Sequence, residues 1–173
     1  MRSHSSLILY VCVLGLSYRP DVPGKRKVLK FSGAPTWEAD ALQRSLVRAT
    51  RAQVTFGGFL IYAVDPSQNV LDDATLKFVD VLGKDVVGFT DGAEDLAELV
   101  GSLAAHEVTD VLCMCTGDLA VEFFDGTCEL VEVVRIDLPS GIEWPNWPGR
   151  ASLVDSSKLL AWLEKHSIAI SHR

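Results

Sequence analysis

The sequence predicts an α+β fold, an antiparallel β-meander sheet or half-barrel with about three helices packed on it. Three observations carry that expectation. Leu96, Leu99, Val100 and Leu103 recur at helical spacing and form one apolar stripe. The run Gly117 to Val134 alternates in period two on either side of Asp125-Gly126, a favoured hairpin dipeptide. A third segment, Asp155 to His166, returns to helical spacing with Leu159, Trp162 and Leu163 inward. With 173 residues, 48 % apolar and 23 % charged, the chain is the right size for one domain around one core.

Residues 1–27 stand apart from a single α+β domain over 28–173. Leu7 to Leu16 is an apolar run behind a short basic start, too short to span a bilayer and similar in length to the core of a signal peptide. No A-x-A site follows it, and the Pro/Lys/Arg stretch from Arg19 to Lys27 suits no folded element. A signal-like segment, a mis-called upstream start and an ordered N-terminal strand are the three readings. Globular patterning begins near Val28.

In the body, Thr36 is placed to cap a first helix carrying Trp37, Ala41, Leu42 and Leu46 on one face. Ala52 to Val64 reads as strand, with Gly57-Gly58 marking a bulge or a turn that splits it. Asp65 to Asn69 is turn chemistry, and Leu71 to Val81 returns as strand. Asp91 is expected to cap a helix reaching His106, with Glu94 completing a capping box. Val108 to Cys115 follows as a strand. A two-residue turn at Asp125-Gly126 would pair Phe123 with Cys128 and Val121 with Leu130, and set Glu122 opposite Glu129. Asp137 to Ala151 reads as a loop. A faint repeat at an offset of 59 residues matches Thr50, Gly58 and Leu60 to Thr109, Gly117 and Leu119, suggesting two repeated units.

Charge narrows the function classes. The first 31 residues carry net +5, so the remainder carries −12, with 22 acidic and 10 basic residues. A body that negative repels nucleic acid and attracts basic proteins. The four histidines lack metal-binding spacing, and Cys113-x-Cys115 lacks a second pair. There is no phosphate loop and no nucleophile elbow. No catalytic residue, metal ligand or cofactor is nominated. His106 reads as a helix terminus and Cys113 and Cys115 as small core residues. Three cysteines in the body would leave one free thiol in a secreted domain, which favours the cytoplasm, with secretion as the alternative if residues 1–17 are a signal peptide. The mature form is expected to have no membrane association.

Candidate binding residues are the hairpin carboxylates Glu122, Glu129 and Glu132, and the Trp144 and Trp147 pair in a proline-rich loop. Glu122 and Glu129, if opposed, would repel, a cost that a docking face or a cation site would explain. The two indoles form either a rigid aromatic platform or a cover for the open end of the core.

The segments Leu46-Val47, Gly58-Phe59-Leu60 and Gly117 through Gly126, with Trp144, Pro148-Gly149 and the ending Leu153 to Leu163, carry a resemblance. Over roughly residues 40–163 the chain resembles an uncharacterised family of small bacterial proteins with a domain of unknown function. The resemblance implies a mixed α/β meander fold and no known activity. From the acidic body, the leading expectation is a non-catalytic binding protein, an immunity-type or regulatory partner of a basic protein. The alternatives are a small hydrolase or isomerase using paired carboxylates, and a structural domain forming homo-oligomers through sheet edges.

Overall fold

The computed structural model describes residues 27–31, 35–56, 60–64, 77–81, 85–111, 119–137 and 141–169, with side chains described from residue 35 onward except within 60–64 and 77–81. The expectations for residues 1–26, Gly57-Gly58, the turn Asp65 to Asn69, Cys113 and Cys115 fall outside them.

Among the described residues the fold has ten strands and three helices: β1 (Lys27–Phe31), α1 (Ala41–Ser45), β2 (Arg51–Phe56), β3 (Leu60–Val64), β4 (Lys77–Val81), β5 (Asp85–Thr90), α2 (Ala93–Ser102), β6 (Ala105–Val108), β7 (Leu119–Phe124), β8 (Leu130–Asp137), β9 (Gly141–Glu143), β10 (Arg150–Leu153) and α3 (Ser156–Lys165). The main sheet is open and antiparallel throughout, in the order β5-β2-β7-β8-β9-β10-β6. A second sheet has the order β1-β4-β3. This is the α+β meander expected. The two proposed repeats are not equivalent, because β3 lies in the small sheet while its counterpart β7 lies in the middle of the large one.

Side-chain alternation divides the large sheet into two faces. Ala52, Val54, Leu119, Val121, Phe123, Val134, Ile136, Ile142 and Ala151 point to the helix side and join Leu96, Leu99, Leu103, Leu159, Trp162 and Leu163 in one buried core. The final helix forms as expected. Asp155 caps it, its carboxylate accepting from the Ser157 amide at 3.1 Å, and Leu159, Trp162 and Leu163 are buried.

Several local expectations are corrected. The first helix starts only at Ala41 and tightens into a 3₁₀ turn over Leu46–Arg48. Leu42 and Leu46 are buried, but Trp37 precedes the helix and is 60 % exposed. Helix α2 is capped by the Gly92 backbone, not by Asp91, and stops at Ser102. His106 therefore lies on β6 and not at a helix end: Ala105 already pairs with Leu153 on β10, so the chain leaves the helix early to complete the sheet. The presumed loop after Asp137 holds strand β9.

The hairpin register also differs. The Asp125 carboxylate accepts from the Thr127 amide (2.8 Å), the Thr127 hydroxyl (2.7 Å) and the Glu129 amide (3.0 Å). The Cys128 amide bonds the Asp125 carbonyl at 3.0 Å. Asp125 thus opens a type I-like turn closed by Cys128 in the left-handed region (φ 70°), giving a three-residue loop where two were expected. Phe123 pairs with Glu132 and Val121 with Val134, while Glu122 faces Val133 and not Glu129. One residue of β8, Val131, bulges between the Phe123–Glu132 and Phe124–Leu130 pairs.

Gly149 marks a close backbone approach. A methyl group there would lie 2.7 Å from the carbonyl oxygens of both Thr109 and Val111. Gly149→Ala is expected to cost about 1–3 kcal/mol, because neither carbonyl is a side-chain end that can swing away. Urea denaturation measures it, and an unchanged midpoint would mean that the two segments part freely here.

Candidate functional site

Glu132, Trp144 and Trp147 are brought together, and Glu122 and Glu129 are not. Alternation from Val134 and Ile136 places Glu132 on the helix side of the sheet, where it is buried beside Phe123, next to the Val131 bulge. The Trp144 indole Nε1 donates to its Oε2 at 2.8 Å. Burial pushes the Glu132 carboxyl above its ordinary value, partly offset by the hydrogen bonds from Trp144 and Ser45 and by nearby Arg48.

Trp144 opens a turn whose second position is Pro145 and which the Trp147 amide closes onto the Trp144 carbonyl at 2.9 Å. The two indoles meet edge to face, with centroids 5.3 Å apart. Trp147 Nε1 donates to the Glu38 carbonyl at 3.1 Å, and the Thr36 amide donates to the Asn146 carbonyl at 2.8 Å. Both indoles are buried. They seal the core and tie residues 36–38 across its end, the second of the two roles the sequence left open.

A raised acid value favours folding while the group is protonated. The native state holds its proton more tightly than the unfolded chain does, so stability is full below the ordinary carboxyl range and falls as pH rises through the raised value. Glu132→Gln keeps an acceptor for Trp144 and removes this penalty. Its melting temperature is expected to match or exceed wild type at neutral pH, with the gap closing in acid. A gap that widens on acidification would reverse the assigned direction.

Glu122 sits on the reverse face at 2 % exposure, where its carboxylate accepts from Gln53 Nε2 on the adjacent strand. Arg51, Gln53, Thr55, Arg135 and Glu143 are buried on this same face. Register sets Arg135, Glu143 and Arg150 side by side on β8, β9 and β10, so charge alternates across the strands. Arg135 Nη2 lies 3.4 Å from Glu143 Oε2, and Arg150 pairs with Asp137. Arg51 rests against the Phe124 ring at 4.9 Å, with its Nε and Nη2 making no hydrogen bond. Sequence reasoning missed this row, although a lone Arg135 inside Val133-Val134-Arg135-Ile136 was a readable sign of a paired buried cation.

A third cluster joins α2 to α3. His166 stacks on Trp162 at 4.0 Å, and its Nε2 lies 3.1 and 3.0 Å from the two Asp95 carboxylate oxygens. Lys165 Nζ reaches Asp95 at 2.8 Å and Glu98 at 2.7 Å. Burial alone would raise the Asp95 carboxyl, but the hydrogen bonds from Lys165, Thr90 and His166 outweigh it and hold the group well below the carboxylate range. Here His and Asp act as a helix clamp.

Among the described residues no group of three or more His, Cys, Asp or Glu side chains converges to hold a metal ion, and no helix is long and apolar enough to cross a membrane. Cys128 is disulfide-bonded, with its partner outside the described residues. No protein-family model, curated protein or solved structure matches the chain.

Proposed function

We propose that the chain is a non-catalytic binding protein whose acidic surface captures a basic protein, in the manner of an immunity-type or regulatory partner. One observation carries this. Among the described residues, ten acidic side chains are exposed: Glu38, Asp40, Asp85, Asp91, Glu94, Glu98, Glu107, Asp110, Glu129 and Glu164. Only four basic ones are, Arg44, Arg48, Lys158 and Lys165. Two of those four are already engaged, Arg44 with Glu38 and Asp40, Lys165 with Asp95 and Glu98. Such a field accelerates encounter with a cationic surface and weakens as salt screens it. The buried carboxylates Glu122, Glu132 and Glu143 serve the interior instead, each beside a fixed cross-strand or indole partner.

Poly-L-lysine, with poly-L-glutamate as control, tests the reading by association kinetics. Polylysine should be captured at low ionic strength, with an association rate that falls steeply as salt is added. Failure to bind polylysine at low ionic strength would remove the basis for the proposal.

The disulfide at Cys128 supports the secreted alternative over a cytoplasmic one, since disulfides persist in oxidising compartments. Alkylation of the unfolded protein followed by mass analysis should label Cys128 only after reduction. Labelling without reductant would return the chain to a reducing compartment.

A further inference from the structure

The edge strand β5 combines an open edge, exposed apolar side chains and acidic ends. It pairs with β2 on one side and ends the large sheet on the other, so among the described residues no strand lies beside one row of its backbone groups. Its middle is apolar and open to water: Val86 is 56 % exposed, Val87 40 % and Phe89 38 %. Its ends are acidic, with exposed Asp85 at the start and exposed Asp91 just after the last residue. Val86 pairs with Thr55 and Phe89 with Gln53, which places both apolar side chains on the reverse face.

The helix side of the same strand differs. Gly88 pairs with Val54, and a methyl group on it would lie 2.5 Å from Ile168 Cδ1, so Ile168 packs directly on the bare backbone of the strand. Ile168 also lines a shallow hollow of about 430 Å³ with Leu160, Glu164, Ser167 and Ala169. Apolar walls with one carboxylate suit a long aliphatic stem ending in a cation.

We propose that β5 is the docking edge for an extended segment of the basic partner, which adds as a further strand. Its apolar side chains cover Val86 and Phe89, and its Lys or Arg side chains lie on the helix side toward Glu164. Alternation along a strand demands this pattern, since successive side chains go to opposite faces. The acids at both ends of β5 favour a cationic segment over a neutral one. A second copy of this chain fits worse. Antiparallel self-pairing centred on Gly88 sets Asp85 of each copy against Asp91 of the other. The Val87 bulge, between the Val54–Gly88 and Thr55–Val86 pairs, twists the edge against flat stacking.

The inference rests on the acidic-capture reading above, and one experiment separates the two. The probe is a short peptide alternating lysine and valine, titrated by fluorescence anisotropy beside poly-L-lysine. The peptide should bind, and Phe89→Lys should weaken it about tenfold, through a lost apolar pair and a new like-charge contact. Glu164→Gln should weaken it less, while a peptide with proline at its centre should lose most of its affinity, having no amide to donate there. Both substitutions are at exposed positions, and circular dichroism should show an unchanged fold. Peptide affinity indifferent to Phe89→Lys, with polylysine still captured, would overturn the β5 site and spare acidic capture. Loss of polylysine binding as well would overturn both. Sedimentation showing a dimer that Phe89→Lys dissolves would assign the edge to self-association and overturn the proposal.

Discussion

Glu143→Ala is expected to lower stability by about 3–5 kcal/mol, the cost of stripping one partner from a buried ion pair. Glu143 is fully buried between Arg135 and Arg150 on the neighbouring strands, so its removal takes the carboxylate away from the buried Arg135 guanidinium, while Arg150 keeps its pair with Asp137. Most of the loss is the penalty of the abandoned charge. The worth of the pair itself is small, because desolvating both ions nearly cancels their attraction. Replacing both partners, Arg135→Met with Glu143→Leu, should therefore recover much of the loss. Guanidinium denaturation of the two variants checks this. A double variant as weak as the single would show that the row contributes through shape and hydrogen bonding, and that charge balance is secondary.

Trp162→Ala is expected to cost a similar amount, about 3–5 kcal/mol, as for large aromatic truncations in a packed core. Trp162 is fully buried, its indole Nε1 donates to the Asp95 carbonyl at 3.2 Å, and His166 stacks on its ring. The change opens a void between α2 and α3 and removes the surface that orients His166 toward Asp95. Trp162→Phe should cost clearly less, since it keeps a ring for the stack and loses only the indole donor and part of the volume. Thermal unfolding of the pair measures the split. Equal losses for alanine and phenylalanine would place the effect in the hydrogen bond alone.

Where local chemistry and tertiary demand agree, the sequence is readable. Asp155 before Leu159, Trp162 and Leu163 is one such place, because the cap and the apolar stripe lie within a single helix. The meander was readable for the same reason, since β7 and β8 are joined by a short turn. Errors arise where a side chain or a distant strand outweighs local preference. Asp125 folds three hydrogen bonds into its own turn and moves the register away from the Asp-Gly signal. Helix α2 ends early because β10 recruits residues that helical propensity would have kept. For the candidate residues, Glu132 shares the helix-side face with Val134 and Ile136, but its convergence with Trp144 depends on the turn beyond β9, with nothing local to Glu132 to announce it. Glu122 was placed correctly away from Phe123, but strands that bury charge on both faces look from sequence like strands with one face in water.

The path of α2 has a kinetic consequence. It joins β5 and β6, the two outermost strands of the large sheet, so these cannot both dock until the five strands between them are in place. Strands β7 to β10 are consecutive neighbours and can zip by local pairing, while β2 must find β7 across a long stretch of chain. Late closure of distant pairs slows folding, because chain entropy is lost before their contacts form. Until β5 docks on β2, its run of Val86, Val87 and Phe89 is free to meet other chains, so the segment that would receive a partner is also the one most exposed to misassembly during folding.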